Sequence, residues 1–133
     1  MRIYLDMDGT IADLYGVENW LADLRSENAR PYKEAKRMVE EERLAKLVEA
    51  GNELAIVSWL SKNGTKEYNK EVRKAKREWL KANYPNIKFE EIHIVKYGTP
   101  KSTVVKEKTG ILVDDEKPNR MEWKGLAIAP NWL

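Results

Sequence analysis

Short apolar runs alternate with stretches of helical periodicity along the whole chain. The apolar runs have the length of strands and predict five of them, at Arg2–Asp6, Leu54–Ser58, Glu91–Val95, Ile111–Asp114 and Leu126–Ala129. Strands that alternate with helices are typical of a parallel sheet with helices on both faces. The pattern therefore predicts an α/β fold.

Four helices are predicted between these strands. The first covers residues 17–24, and the second runs from Pro31, a good first-turn residue, to Gly51, a C-terminal stop signal. The third covers residues 68–84, with apolar residues at spacings of four, three and four, and ends before a proline. A short fourth helix is predicted over residues 102–109.

Composition narrows the class of protein. The chain has 133 residues, the length of one domain, and its net charge of +2 is too small to argue by itself for a nucleic-acid or membrane partner. It contains no cysteine, which excludes a disulfide framework and a thiolate metal site and favours a reducing compartment. The first strand begins too early for a signal peptide to precede it, and the apolar run at 54–60 is too short to span a bilayer. We expect a soluble, cytoplasmic protein with no membrane partner.

Reactive side chains occur where the predicted strands end. In open α/β sheets, ligands bind beyond the carboxyl ends of the strands. The polar residues that the pattern places at or near this edge are Asp6, Asp8, Ser58, Lys101, Asp114 and Asp115. Three strand ends and one helix start would therefore bring acids, a hydroxyl and an amine together, which predicts a reactive site there.

Each of these signals also has a plainer interpretation. The segment DMDG at 6–9 is typical of a turn. A calcium-binding loop is excluded because the twelfth position from Asp6 is Val17, where such a loop needs a glutamate. The acidic pair at 114–115 would also suit a solvated strand end. The functional interpretation depends on the joint occurrence of all the signals in this order.

Four segments, LDMDGT, AIVSW, PKS and ILVDD, resemble the four motifs of the haloacid dehalogenase (HAD) superfamily of phosphotransferases. The resemblance extends over essentially the whole chain. It implies one domain, residues 1–133, with a Rossmann-like five-stranded parallel sheet in the order 3-2-1-4-5 and a small helical cap at about residues 14–45. It also implies that Asp6 is the nucleophile and Asp8 the general acid and base.

The same resemblance implies the phosphate and metal ligands. Ser58 and Lys101 would hold the phosphoryl oxygens, and Asp114 would bind Mg²⁺ with Asp6 and the backbone carbonyl of Asp8. Asp115 would be a further or alternate metal ligand. Further residues of the first two motifs complete the expected phosphate site: Gly9, Thr10 and Trp59. Three other lysines are near Lys101, namely Lys96, Lys106 and Lys108, but a helix start would aim Lys101 at the strand ends.

The chemistry of the acidic pair agrees with phosphate transfer. Asp6 is ionised at pH 7 and needs no base to attack phosphorus, and Mg²⁺ with Lys101 would offset its repulsion from an anionic ester. Asp8, crowded by Asp6, would have a raised pKa, protonate the leaving group and then activate water. Within the superfamily, an acid two residues after the nucleophile marks phosphatases. We expect a Mg²⁺-dependent phosphomonoester hydrolase with an aspartyl-phosphate intermediate.

The substrate is indicated less specifically. The segments VSWLSK, KAKREWLKANYP and ILVDDEKPNRMEWKG resemble the 5′(3′)-deoxyribonucleotidase family, which implies nucleotides as substrates. About forty residues separate Asp13 from Glu53, so the cap is small. Tyr15, Trp20 and Tyr32 are candidates to stack on a base, although packing is the more common role of such aromatic residues.

Residues 62–81 contain eight basic and three acidic residues. A solvated helix face is the common origin of such a pattern, and the alternative is a surface that follows phosphates, as in polynucleotide 3′-phosphatases acting on nucleic-acid ends. A third hypothesis is a catalytically idle phosphate-binding protein, against which Asp8 argues. His93, inside a strand, is expected to pack in the structure. The pattern leaves the oligomeric state open.

Overall fold

The computed structural model describes residues 1–133 and contains seven strands. They are β1 (Arg2–Leu5), β2 (Ala12–Asp13), β3 (Lys36–Arg37), β4 (Glu53–Trp59), β5 (Phe89–Val95), β6 (Ile111–Val113) and β7 (Ala127–Ile128). Five of them form a parallel sheet in the order β5-β4-β1-β6-β7, and β2 pairs with β3 as a separate antiparallel ribbon. The prediction of an α/β fold with a five-stranded parallel sheet is confirmed.

The strand order differs from the expected 3-2-1-4-5 in this numbering. The expectation counted five strands, whereas β2 and β3 come between the first and second strands of the main sheet. β2 and β3 contain a single apolar residue between them, Ala12, so the pattern of apolar residues could not reveal them.

Five α-helices accompany the strands. They are α1 (Trp20–Arg25), α2 (Arg30–Glu34), α3 (Glu41–Glu49), α4 (Lys66–Asn83) and α5 (Lys117–Glu122). Single 3₁₀ turns occupy Leu14–Gly16, Lys101–Thr103 and Pro130–Trp132. None of the helices combines the length and the apolar character needed to cross a membrane.

The helices cover both faces of the sheet, which explains why the central strands are apolar on both sides. On one face, Leu5 and Ile56 pack against Leu44 of α3 and Trp79 of α4. On the other face, strand residues pack against Trp123, which directly follows α5, and against Val105. Because helices cover both faces, the carboxyl ends of the strands and the loops that follow them remain available to form a site.

The prediction of one helix over residues 31–51 is wrong, because the chain leaves the helix at Ala35. The carbonyl of Ala35 accepts a hydrogen bond from the buried indole of Trp79 at 2.7 Å, and Ala35 has an extended ψ of 134°. The next residues pair with β2, where Arg37 lies opposite Ala12. Tertiary contacts therefore outweigh the local helical preference.

The prediction of a helix over residues 102–109 is also wrong beyond its first turn. The backbone N–H of Lys106 donates to Glu91 Oε1 at 3.0 Å, and the N–H of Glu107 donates to the hydroxyl of Tyr4 at 2.9 Å. Side chains of the sheet thus take the donors that a helix would need. Helix α5 was not predicted, because apart from its proline the segment KPNRME contains one apolar residue, Met121, and so shows no helical period.

Candidate active site

A tight turn directly after β1 carries the two aspartates of the DMDG segment. The carbonyl of Met7 accepts hydrogen bonds from the N–H groups of residues 10, 11 and 12 at 3.0 Å each. Gly9 has a φ of +82°, and a Cβ atom there would lie 2.3 Å from Asp115 Oδ2. Glycine is therefore required at this position both by the backbone conformation and by the close approach of the second acidic pair.

Lys101 forms a buried bridge between two of the predicted acids. Its Nζ donates to Asp6 Oδ1 at 2.8 Å and to Asp114 Oδ2 at 2.6 Å. Asp6 and Asp114 follow β1 and β6, which are neighbours in the sheet, and all three side chains are at least nine-tenths buried. Lys101 is the one of the four lysines considered that contacts these acids.

Lys76 of α4 holds the other aspartate of the motif. Its Nζ donates to Asp8 Oδ2 at 2.8 Å, to Ser58 Oγ at 2.8 Å and to the carbonyl of Trp59 at 2.7 Å. The side chain of Lys76 is 1% exposed and that of Asp8 is 20% exposed. Each aspartate of the pair thus has its own lysine, and the two lysines come from different elements.

Three carboxylates converge beside Lys101. Oxygen atoms of Asp6, Asp114 and Asp115 lie within 4.8 Å of one another. Burial and the charge of Asp6 raise the pKa of both Asp114 and Asp115. Burial likewise raises the pKa of Asp8, the Lys76 ammonium opposes this shift, and the charge of Asp6 adds to it. The site therefore combines four carboxyl groups with two lysines.

A cavity of about 850 Å³ opens in front of Asp6, Asp8 and Lys101. Two aromatic pairs are among the residues that line it. Tyr15 and Trp20 have ring centroids 4.9 Å apart, and Trp59 and Tyr97 have centroids 4.8 Å apart. Tyr32 also lines the cavity but is 5% exposed and packs among apolar residues.

The sequence of this chain was compared with known protein families and with curated proteins. No known family model matches this chain, and no curated protein is significantly similar to it. Any assignment of activity therefore depends on the geometry of the site and on the chemistry of its residues.

The other predicted phosphate ligands differ in whether they line the cavity. Trp59 lines it, and its ring lies 5.5 Å from Lys101 Nζ. Thr10 is buried, with its hydroxyl 3.4 Å from both Asp6 Oδ2 and Asp115 Oδ1. Ser58 is fully buried and is not among the residues that line the cavity, since its hydroxyl faces Lys76. Its role as a phosphate ligand stays a prediction.

Sequence reasoning did not single out Lys76, although a signal was present. Lys76 lies four residues after Val72 and three before Trp79, so it falls on the apolar face of the predicted helix. A lysine on a buried face requires a buried partner. Two further residues that were not predicted contact Asp114: Asn119 donates to Asp114 Oδ2 at 3.1 Å, and Arg120 donates to its carbonyl at 2.9 Å.

Proposed function

We propose that this chain is a Mg²⁺-dependent phosphomonoester hydrolase of the HAD type, with a Rossmann-like core and Asp6 as the nucleophile. The observation that carries the proposal is the position of Asp6. Its carboxylate lies at the carboxyl end of the central strand, at a cavity, hydrogen-bonded to Lys101. A carboxylate that is held by a cation at the wall of a cavity suits attack on an anionic ester.

The residues beside Asp6 fit a hard divalent cation. Mg²⁺ prefers oxygen ligands and is usually bound by one or two carboxylates together with water and substrate oxygens, and Asp6, Asp114 and Asp115 offer such a set. Burial and the nearby charge of Asp6 raise the pKa values of Asp114 and Asp115, and a bound cation would stabilise the ionised form of both carboxyl groups. When bound, Mg²⁺ would polarise the phosphoryl oxygens and reduce their repulsion from Asp6.

The chain's own residues supply the remaining chemistry. Asp6 would attack phosphorus, and Lys101 would stabilise the charge on the transferred group. Asp8, in its protonated form, would donate a proton to the leaving oxygen. Asp8 would then take a proton from the water that hydrolyses the aspartyl-phosphate. Lys76 would fix the orientation of the Asp8 carboxyl during both steps.

Aromatic residues around the cavity favour a substrate with a flat apolar part. Tyr15 is exposed, Trp20 and Trp59 are half-buried, and Tyr97 is 45% exposed, so their rings are available for contact. Stacking on aromatic rings is a common way to hold a base. We therefore propose nucleotides as the substrate class of this phosphatase.

The proposal is tested by activity on p-nitrophenyl phosphate and nucleoside monophosphates, with and without Mg²⁺. We expect EDTA to abolish turnover and added Mg²⁺ to restore it. Asp6→Asn should reduce turnover to background on every substrate, because no aspartyl-phosphate can form. The matched control is Asp13→Asn, since Asp13 lies nearby but caps the 3₁₀ turn through Gly16 N–H at 3.0 Å and does not contact the site.

Two results would contradict the proposed function. One is full activity in the metal-stripped protein, and the other is activity of Asp6→Asn equal to that of Asp13→Asn. Turnover of sugar phosphates with nucleotides left untouched would overturn the substrate class alone.

A further inference from the structure

The solvent-exposed side of α4 carries a row of cations that the proposed catalytic chemistry does not use. Its members recur at spacings of four, three, four and four and are all exposed. We call this row the basic stripe; it consists of Lys66, Lys70, Arg73, Arg77 and Lys81. At 1.5 Å per residue, the basic stripe is about 22 Å long.

The cations of the basic stripe are not neutralised by neighbouring acids. The one ion pair on this helix surface joins Lys74 to Glu78, with 3.9 Å between Nζ and Oε1, and neither residue belongs to the stripe. Arg73 donates to the carbonyl of Ile94 and keeps its full charge. A groove of about 350 Å³ is lined by no apolar residue; four cations of the stripe line it together with Lys74 and Glu78, namely Lys70, Arg73, Arg77 and Lys81.

The residues beside the basic stripe distinguish between two kinds of anionic partner, a membrane surface and a nucleic acid. A helix that lies on a membrane needs large apolar residues beside its cations, but the apolar residues of α4, such as Val72 and Trp79, are buried against the rest of the protein. The exposed positions of this helix are charged, apart from Ala82. The stripe therefore offers charge without a surface that could enter lipid.

We propose that the basic stripe binds the phosphate backbone of a nucleic-acid strand. One strand of a duplex carries a phosphate about every 3.4 Å along the axis, so a stripe of about 22 Å spans about six phosphates. Binding of this kind needs no base-specific contact, and none is offered by the stripe. The cations act through the release of counterions from the strand.

Helix α4 also connects the stripe to the cavity. Its first residue, Lys66, follows the cavity-lining segment Ser61–Gly64 by two residues, and its opposite face supplies Lys76 to Asp8. A strand bound along the stripe can thus bring a phosphorylated end towards the cavity. This last step rests on the proposed function, whereas binding along the stripe does not.

The test measures binding of a fluorescent single-stranded oligonucleotide, with and without a terminal phosphate, by anisotropy between 50 and 200 mM salt. The variant is Lys70→Gln/Arg77→Gln/Lys81→Gln, which leaves Arg73 in place because of its hydrogen bonds to Ile94. The control, Lys46→Gln/Lys106→Gln/Lys124→Gln, removes the same charge from exposed positions elsewhere.

For a single strand, each phosphate contact contributes about 0.7 to the slope of log K against log salt. We expect the stripe variant to have a slope shallower than the wild type by about two and the control to remain within about half a unit of the wild type. Hydrolysis of p-nitrophenyl phosphate should be the same in all three proteins.

Three results would overturn the proposal: no oligonucleotide binding by the wild type, equal loss in the stripe and control variants, or stripe-dependent binding to phosphatidylserine vesicles in place of the oligonucleotide. Failure of the proposed function has a different signature. In that case oligonucleotide binding still depends on the stripe, but no ester is hydrolysed by the wild type.

Discussion

Two aspartates only two residues apart have different surroundings in this protein. Asp6 is buried and held by Lys101, which also contacts Asp114. Asp8 is partly exposed and held by Lys76. Burial and the nearby charge of Asp6 raise the pKa of Asp8, which favours the proton-carrying role. Different environments for a pair of carboxylates are the usual way to obtain a nucleophile and an acid from one residue type.

The different roles predict different losses in Asp8→Asn. This change keeps Asp6, the proposed nucleophile, and the backbone carbonyl of residue 8 but removes the proton transfer proposed for Asp8. General acid–base catalysis of this kind is worth about 10²–10⁴-fold. We expect a loss of that size on alkyl phosphates and a smaller loss on aryl phosphates, whose leaving groups need less help. The measurement is kcat/KM for both ester types, with trapping of phosphoenzyme in an acid quench.

The accumulation of phosphoenzyme would support the same assignment, because in the proposed mechanism Asp8 also activates the water that hydrolyses the intermediate. Equal losses on aryl and alkyl esters would show that Asp8 is not the proton donor. Asp6→Asn serves as the reference for a protein that forms no intermediate.

At the scale of single residues, the sequence was sufficient to predict the location of a site residue where that residue lies at the predicted end of a strand or the start of a helix. It placed Asp6, Lys101 and Asp114 at one edge of the sheet, and the structure brings them within hydrogen-bond distance. The sequence could not predict the orientation of the Ser58 side chain, because this orientation depends on the residue with which its hydroxyl forms a hydrogen bond. That partner, Lys76, comes from a helix 18 residues later in the chain.

The longest helix, α4, links the sheet, the site and the surface. Its apolar residues pack on the sheet, its buried lysine reaches Asp8, and its exposed cations form the basic stripe. The helical period over this segment was clear enough to be read from the sequence. The break at Ala35 was not, because it depends on the indole of Trp79 and on the pairing of β3 with β2, both of which are distant in the chain.

The contact between α4 and the turn after β1 can be measured by a double-mutant cycle. Lys76→Met leaves Asp8 without its cation, and Asp8→Asn leaves Lys76 without its anion. The double variant should therefore be more stable than the sum of the two single changes predicts. We expect a coupling of about 1–3 kcal/mol in the free energy of unfolding, measured in urea.

The matched control for this cycle lies half a turn away on the same helix. Lys74→Met removes an exposed lysine whose nearest acid, Glu78, is 3.9 Å away, and such surface pairs are worth less than about 1 kcal/mol. Additivity of the Lys76 and Asp8 changes to within about 0.5 kcal/mol would show that their contact does not stabilise the fold.

A second buried network, centred on Glu91, connects distant parts of the whole molecule. Glu91 of β5 accepts hydrogen bonds from Arg2 at 2.7 Å, from the hydroxyl of Tyr4 and from the N–H of Lys106 at 3.0 Å. His93 Nε2 lies 2.7 Å from the same carboxylate, which agrees with the structural role expected for this histidine. One acid thus joins β1, β5 and the loop before β6.

Glu91 should make the stability of the protein depend on pH in the acidic range. Burial alone would raise its pKa, but the hydrogen bonds from Tyr4, His93, Lys106 and Arg2 outweigh this and lower the pKa to about 2, from an ordinary value of 4.5. A carboxylate with a depressed pKa in the folded state stabilises the protein above its unfolded pKa. That contribution is lost as the pH falls from about 4.5 towards 2, because the unfolded state then binds the proton more readily.

The full loss, reached near pH 2, is on the order of 3 kcal/mol, of which about 2 kcal/mol is expected at pH 3. Glu91→Gln should remove this part of the pH dependence while being less stable than the wild type at pH 7. Urea unfolding at pH 7, 4 and 3 gives the comparison. Glu90→Gln is the control, since Glu90 makes only a 3.6 Å pair with exposed Lys88 and should keep the wild-type profile. If Glu91→Gln and the wild type lose stability in parallel between pH 7 and 3, the ionised carboxylate does not hold β1, β5 and the loop together.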